Sequence, residues 1–216
     1  MPVSQFGAPS GLRGWLAAHL VARLTADANR WMVDCLEVGR HDRVLDVGCG
    51  PGLAVAYAAS AGAEQVVGVD ASATMVRLAR RRNRAAVDHG RVEVRRADAL
   101  GLPFTDGALT RAGSLNSLQF WASPDAGLAE LHRVLVPGGR VAVVLMARSN
   151  EPAAGAVPWV DETVDALLAA GFVGVEVVSR VFGGVVHRAL VGSRAGKESG
   201  APLDPTADGV RKGAGP

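Results

Sequence analysis

Lysine and cysteine are scarce in this chain of 216 residues. The only lysines are Lys197 and Lys212, so the positive charge is almost all arginine, and the formal net charge of +2 is too small to predict a nucleic-acid partner. The two cysteines, Cys35 and Cys49, show no metal-ligand spacing and argue against a disulfide framework. We therefore expect no metal site, and a reducing, cytoplasmic location.

Long hydrophobic runs are absent as well. The apolar stretch over residues 15–24 is interrupted by His19 and Arg23, which argues against a secretion signal. No run approaches the roughly 20 apolar residues that a membrane-spanning helix needs. Hydrophobic residues nevertheless make up 49% of the chain and charged residues 20%, which is enough to fill the core of one soluble domain.

Short runs rich in β-branched residues alternate with longer, alanine-rich stretches through the middle of the chain. The short runs predict strands at 43–47, 65–70, 91–96, 109–115 and 140–146. The longer stretches predict helices at about 52–61, 72–87 and 124–135. This alternation is typical of βαβ units, in which helices cover both faces of a parallel sheet.

The pattern differs on both sides of this region. Two helices, within 12–24 and 31–36, are predicted before the first strand, and one at about 159–170 follows the fifth. Two further β-rich runs flank Gly183 and Gly184 and predict an antiparallel hairpin. The predicted fold is α/β, a Rossmann-like, doubly wound, mostly parallel seven-stranded sheet with an antiparallel C-terminal hairpin strand. The predicted divisions are a helical cap over 1–42, the main domain over 43–193 and a disordered tail over 194–216.

The segment Val44–Gly52 has the sequence VLDVGCGPG and combines a buried strand, a glycine-rich turn and the start of a helix. Glycines let the backbone turn sharply and approach a ligand, and a helix N-terminus offers free N–H groups. Such a turn lies at the carboxyl end of a strand, where open α/β sheets bind their ligands. The segment therefore predicts a nucleotide-binding site.

Asp46, directly before the turn, indicates the kind of nucleotide. A dinucleotide-binding turn would have its third glycine where this chain has Leu53. The Asp46 carboxylate would also repel a pyrophosphate, whereas it attracts the ammonium and sulfonium groups of S-adenosylmethionine. The electrostatics favour S-adenosylmethionine over a nicotinamide dinucleotide.

Two more carboxylates follow neighbouring strands. Asp70 ends the predicted second strand, where it can accept hydrogen bonds from a ribose diol, and Asp98 follows the third, where it can accept one from an adenine amino group. Each has a structural alternative, because an aspartate after a strand often caps the next helix. Three carboxylates at successive strand ends around a glycine turn favour the binding role.

At this point the sequence resembles the class I S-adenosylmethionine-dependent methyltransferases, and within them the small-molecule type grouped with ubiquinone and menaquinone biosynthesis methyltransferases. The resemblance covers residues from about 12 to 191, so that 43–193 is interpreted as the cofactor-binding methyltransferase domain. The motifs that carry it are VLDVGCGPG (44–52), VVGVD (66–70), ADALGLPF (97–104), SLNSLQFW (114–121) and ELHRVLVPGGRVAVV (130–144).

The resemblance implies roles for individual residues. Asp46 and the glycines would lie beside the methionine part, Asp70 would bind the ribose, and Asp98 with the Ala99 backbone would bind the adenine edge. The end of strand four would line the sulfonium and the acceptor. The expected cofactor-binding residues are Asp46, Gly48, Cys49, Gly50, Gly52, Asp70, Ala71, Met75, Asp98, Ala99 and Ser114, and the expected acceptor-binding residues are His19, Asn116, Gln119 and Trp121.

Each acceptor-side residue has a structural alternative. His19 is on a predicted helix and could be a packing residue, Asn116 and Gln119 could bond a loop backbone, and Trp121 could cover the core. The remaining histidines are predicted to lie away from the site, His132 in a helix and the others in loops or at edges: His41, His89 and His187. No catalytic base is identified.

The chain departs from the family pattern in two places. Leu109-Thr110 stands where many relatives have Phe-Asp, and the connection 147–158 is short where relatives often insert a substrate lid. Acceptor recognition is then expected from the N-terminal helices and the 116–121 loop. An N/D-P-P-Y/F motif for a flipped base is missing, which disfavours nucleic acid as acceptor.

The predicted function is methyl transfer from S-adenosylmethionine to a small, fairly apolar molecule, by in-line displacement at the sulfonium methyl. Two alternatives remain open from the residues. One is a protein that binds the cofactor without turnover and acts as a regulator. The other is an NAD-dependent oxidoreductase, against which Asp46 argues.

Overall fold

The computed structural model describes residues 25–147 and 158–196, and within them a seven-stranded sheet. Its strand order is β3-β2-β1-β4-β5-β7-β6. The strands are β1 (Arg43–Val47), β2 (Gln65–Asp70), β3 (Val92–Arg96), β4 (Leu109–Leu115), β5 (Leu135–Met146), β6 (Phe172–Phe182) and β7 (Val185–Arg194). The first five are parallel to one another, and β7 runs antiparallel to both β5 and β6. The predicted fold class is confirmed.

Six α-helices and one 3₁₀ turn lie in the described residues. They are α1 (Ala26–Cys35), α2 (Leu53–Ser60), α3 (Ala73–Arg82), α4 (Arg84–Asp88), α5 (Pro124–Val134), α6 (Pro158–Ala169) and the 3₁₀ turn Leu118–Phe120. None of these helices is long and apolar enough to cross a membrane. The predicted helix at 72–87 is two helices, because the backbone of Asn83 leaves helical geometry while its side-chain amide donates to the carbonyls of Ala79 and Gly52.

The sheet separates two apolar clusters, as alternation along β1 requires. Leu45 and Val47 belong to the cluster covered by α5 and α6, whereas Val44 belongs to the cluster covered by α1, α2 and α3. Asp46 alternates with Leu45 and so lies on the second face. In α1, Met32 is 1% exposed and packs beside β4, so this part of the predicted N-terminal cap is integral to the sheet domain.

The C-terminal boundary also differs slightly from the prediction. Arg194, expected to begin a disordered tail, is the last residue of β7. Its guanidinium donates to the carbonyls of His132 and Arg133 at the end of α5, which satisfies acceptors that a helix C-terminus leaves open. The rest of the predicted tail beyond residue 196 and the predicted helix within 12–24 lie outside the described residues.

The strand order places the predicted site. The chain moves outward from β1 to β2 and β3 and then returns to the other side of β1 as β4. In open α/β sheets the ligand binds at this switch point, outside the carboxyl ends of the strands. The turn after β1 and the loop after β4 meet there.

Thr110 explains how β4 is held without the Phe-Asp pair of many relatives. Leu109 is 3% exposed and fills the core. The Thr110 hydroxyl accepts from the backbone N–H of Arg43 at 2.9 Å and donates to the Asp42 carboxylate at 2.7 Å, so it ties β4 to the start of β1. The same carboxylate pairs with Arg111 at 3.3 Å. Hydrogen bonds therefore fix the amino end of β4.

Replacing Thr110 by valine tests this link. The change preserves shape but leaves the Arg43 N–H without its acceptor, so we expect Thr110→Val to lower the free energy of unfolding by about 1–2 kcal/mol, measured by urea denaturation. Thr74→Val is the matched control, because the Thr74 hydroxyl accepts only an exposed bond from Arg77. Equal losses in the two variants would contradict the role assigned to Thr110.

Candidate functional site

The turn after β1 folds back onto β2. The backbone N–H groups of Gly48 and Cys49 both donate to the carbonyl of Val69, at 2.8 and 3.0 Å. Gly48, Gly50 and Gly52 have φ angles of +72°, +51° and +77°, in the left-handed region that favours glycine. The alternate glycines of the motif are thus a backbone requirement of this turn.

The three glycines face different surroundings. A Cβ on Gly48 would lie 2.3 Å from the Cβ of Ser117, and one on Gly52 would lie 2.9 Å from the Cα of Ala79 in α3. Both positions are closed by protein atoms. A Cβ on Gly50 would meet nothing within 4 Å. The open side of the turn is therefore at Gly50.

Asp70 joins the end of β2 to this turn. Its Oδ2 accepts from the N–H of Gly50 at 2.9 Å, and its Oδ1 accepts from the N–H of Ser72 at 2.8 Å. The N-cap of α3 is Ser72, whose hydroxyl accepts from the N–H of Met75, so the alternative that Asp70 caps this helix is wrong. Burial raises the pKa of Asp70, although the two backbone bonds oppose the rise.

Asp46 is 4% exposed on the α1 and α2 face of β1. No residue in 25–147 or 158–196 donates a hydrogen bond to its carboxylate. Burial, together with the negative charge of Asp70, raises the pKa of Asp46 to about 7. A buried carboxylate that no described residue bonds or pairs is costly, and an incoming cation would relieve that cost.

Glycines flank Asp46 on both neighbouring strands, since it is in register with Gly68 of β2 and Gly113 of β4. A Cβ on Gly68 would come within 3.0 Å of the Cys49 sulfur, and one on Gly113 within 3.0 Å of the Met32 sulfur. The two glycines therefore let sulfur-bearing side chains pack on the sheet beside Asp46. Burial is also the main cause that raises the pKa of the Cys49 thiol, so Cys49 can offer the turn its backbone but not a thiolate.

The predicted adenine-side residues follow β2 and β3. Met75 is buried, whereas Ala71 is exposed and its carbonyl accepts from Arg96. Asp98 is exposed and accepts from the N–H of Leu100 at 3.0 Å. The N–H of Ala97 donates to the carbonyl of Asp70 at 3.2 Å, which places Asp98 one residue beyond a direct link to Asp70. The structure thus brings the two carboxylates to the same edge of the sheet.

Ser114 and Ser117 connect β4 to β1. Ser114 is fully buried, and its hydroxyl lies 2.7 Å from that of Ser117. The Ser117 hydroxyl also donates to the carbonyl of Val47 at 3.0 Å. Ser114, expected at the cofactor, therefore uses its side chain to hold the loop after β4 beside Gly48.

The expected acceptor-binding residues of this loop contact the protein itself. Asn116 has a φ of +51°, and its side-chain oxygen accepts from the N–H of Met146 at 2.7 Å. The side-chain amide of Gln119 donates to the carbonyl of Asn116. Trp121 lies against Gly127 of α5, where a Cβ would be 2.3 Å from its ring, so it covers the core. His19 lies outside the described residues.

Residues 45–143 match the family model described as a methyltransferase domain. These residues, a little under half of the chain, are similar to methyltransferase domains. The match supports the resemblance that the sequence motifs carry.

Relatives and solved structures agree with this domain. The chain is 36% identical over 108 residues to methyltransferase GfsG of Streptomyces halstedii, covering 50% of this chain and 39% of that protein. It is 40% identical over 105 residues to the demethylmenaquinone methyltransferase of Thermus thermophilus, covering 47% and 46%. The chain thus spans less than half the length of these two relatives. Geranyl diphosphate C-methyltransferase from Streptomyces coelicolor, solved with S-adenosyl-L-homocysteine, has the same fold, with a TM-score of 0.64, 20% identity and 90% of each chain covered.

Two features of the structure were not found from the sequence. Ser117 is missed because its role depends on the approach of β4 to Gly48, which no spacing in the chain reports. His187, predicted at a loop or edge, is 2% exposed within β7, so that prediction is wrong. Its ring packs on Phe182, and burial lowers the pKa of His187. Only its position in the middle of a β-rich run could have indicated burial.

The glycines of the turn after β1 give one testable contrast. Gly50→Ala adds a methyl group into open space, so we expect only about 1 kcal/mol of backbone strain. The affinity for S-adenosylhomocysteine should nevertheless fall at least tenfold, because the methyl group would occupy the open side of the turn, where we expect the cofactor to bind. Gly52→Ala would overlap Ala79, and we expect a larger loss of stability. Thermal unfolding and calorimetric titration measure the two effects. Wild-type affinity in Gly50→Ala would place the cofactor elsewhere.

The raised pKa of Asp46 gives a second test. Folding raises this pKa above its unfolded value, so Asp46 contributes stability below about pH 4 that is lost as the pH rises to about 7. The uncharged variant Asp46→Asn should therefore gain stability relative to the wild type between pH 5 and pH 8. Urea unfolding of both proteins at the two pH values measures the difference. A difference that does not change with pH would contradict the assigned burial of the charge.

Proposed function

We propose that this protein transfers the methyl group of S-adenosylmethionine to a small, fairly apolar molecule. The single observation that carries the proposal is the burial of Asp46 near Asp70, whose carboxylate bonds the N–H of Gly50 at the open side of the turn. A cofactor with a cationic amino acid end and an adenosine end suits this arrangement. A dinucleotide would instead bring pyrophosphate charge toward a buried carboxylate that has no counterion in the described part of the chain.

Different residues bind different parts of the cofactor. Asp46 attracts the cationic methionine end, and the left-handed backbone at Gly50 leaves room for close approach. Asp70 keeps lone pairs beyond the two that bond Gly50 and Ser72, and these accept from the ribose hydroxyls. Asp98, and Ala99 through its backbone, bind the adenine edge.

Methyl transfer depends on the alignment of the two reactants more than on acid–base catalysis. Bound S-adenosylmethionine supplies a methyl group that its sulfonium already activates. The turn at Gly50 and the β4 loop, fixed to β1 through Ser117, hold the cofactor in one orientation. Alignment of the acceptor with the methyl carbon and exclusion of water then provide the rate enhancement.

The apolar character of the acceptor is inferred from the surface beside the loop after β4. Asn116 and Gln119 direct polar atoms at the backbone. By contrast, Phe120 is 43% exposed and Met146 48% exposed, where β4 and β5 end. Apolar side chains at the acceptor edge suit an apolar ligand. The demethylmenaquinone methyltransferase among the relatives supports a small-molecule acceptor.

Calorimetric titration with S-adenosylhomocysteine, S-adenosylmethionine and NAD tests the proposal. We expect the first two to bind and NAD not to bind. Asp70→Asn should weaken the binding of S-adenosylhomocysteine about tenfold, because it removes the negative charge of the carboxylate that accepts hydrogen bonds from the ribose and from the Gly50 N–H. Asp88→Asn is the control, since its carboxylate forms only an exposed pair with Arg84.

Two outcomes would overturn parts of the proposal. Binding of NAD alone would exclude the methyltransferase assignment and favour the oxidoreductase alternative. Tight binding of S-adenosylmethionine without release of S-adenosylhomocysteine, in the presence of a panel of small apolar alcohols, phenols, amines and thiols, would support the regulatory binding protein instead.

A further inference from the structure

The loop between β3 and β4, residues 97–108, carries the proposed adenine contacts but forms no helix or strand. At its start the Ala97 N–H donates to the carbonyl of Asp70. Within it, the Gly101 N–H donates to the carbonyl of Asp98, which makes a tight turn over 98–101. Few bonds inside the loop determine where that turn lies.

Glu130 and Arg133 of α5 fix the far side of this loop. The Arg133 guanidinium forms a two-pronged pair with Glu130, with Nε to Oε1 at 2.6 Å and a terminal nitrogen to Oε2 at 2.8 Å. Its terminal nitrogens also donate to the carbonyls of Leu102 and Phe104, at 3.1 and 2.8 Å, and to the exposed carboxylate of Asp106. Every N–H of the guanidinium is therefore used.

Glu130 accepts a hydrogen bond from the loop, whereas Arg133 donates to it. Its Oε2 accepts from the backbone N–H of Leu102 at 2.9 Å. The side chain of Leu102 is 4% exposed and packs in the apolar cluster under α5. The Arg133 guanidinium lowers the pKa of Glu130, so the pair stays ionised. The backbone of Leu102 is thus held through both its donor and its acceptor.

The turn over 98–101 therefore lies between two anchors, the carbonyl of Asp70 on one side and the Glu130–Arg133 pair on the other. Ala99 is 7% exposed, and no residue that the structure describes accepts from its backbone N–H. A buried N–H without a partner is costly, and a ligand acceptor such as an adenine ring nitrogen would satisfy it.

We propose that Glu130 and Arg133 are positioning residues for the adenine base: they hold the 98–101 turn where Asp98 and the Ala99 N–H can bind the adenine edge. The inference rests on the proposed function, since it assumes that the adenosine end lies beside Asp70. The two side chains act through the loop and do not touch the cofactor. Replacing either side chain should reduce the preference for adenine over other bases more than it reduces the affinity for the rest of the cofactor.

The test compares S-adenosylhomocysteine with S-inosylhomocysteine, in which an oxo group replaces the adenine amino group. We expect the wild type to prefer the adenine compound. Arg133→Lys keeps the charge but loses the planar fork, so this preference should fall about tenfold, with a smaller fall in Glu130→Gln, which keeps one acceptor oxygen. Asp106→Asn is the matched control, because it removes only the exposed partner of the same guanidinium, and it should keep the wild-type preference.

A purely structural role predicts a different result. Arg133→Lys would then lower the free energy of unfolding and weaken the binding of both compounds by the same factor, so that the preference is unchanged. That result would overturn the inference. A wild type that binds both compounds equally would also overturn it, because the adenine edge would then not be recognised. A wild type that binds neither compound would refute the proposed function itself, and the inference with it.

Discussion

The burial of the Asp46 carboxylate beside Asp70, with no cation paired to it among residues 25–147 and 158–196, is the constraint from which the site follows. In the described structure both groups carry raised pKa values, because burial disfavours their charged forms. A protein tolerates such an arrangement only if other interactions offset its cost or a ligand relieves it. Here the free protein holds Asp46 near its titration point at neutral pH, and a cationic ligand would favour the ionised form. The same residue then opposes stability and supports binding, a conflict that is common at functional sites.

The turn after β1 can adopt its shape only because distant parts of the chain leave it space. Ser117 approaches Gly48 so closely that no side chain fits, and Ala79 does the same at Gly52. Gly50 alone faces open space, and its N–H is held by Asp70. Two glycines of the motif are therefore explained by packing and one by access. A glycine pattern in a sequence combines these causes, and only the structure separates them.

Much of the fold could be predicted from the sequence, because strands and helices of this class have clear periods and the glycine turn has few alternatives. The positions of Asp46 and Asp70 at strand ends followed from the same reasoning. The remaining details depend on contacts between distant segments. Thr110 replaces an expected aspartate because its hydroxyl reaches Asp42, and Asn116 adopts a left-handed backbone because its side chain replaces a strand partner for Met146. The burial of His187 likewise depends on the packing of Phe182, which β-propensity does not report.

The two ends of the site differ in how their geometry is maintained, and this difference bears on specificity. On the proposed cofactor side, the exposed carboxylate of Asp98 and the N–H of Ala99 face no competing charged partner within the described residues, while Glu130 and Arg133 use their charges to fix the loop. On the proposed acceptor side, the side chains of Asn116 and Gln119 form hydrogen bonds with the backbone of the protein itself. Under the proposed function, polar recognition is concentrated at the cofactor, and the described edge proposed for the acceptor exposes the apolar side chains of Phe120 and Met146. Shape and apolar area would then select the acceptor, and such contacts discriminate weakly between molecules of similar size.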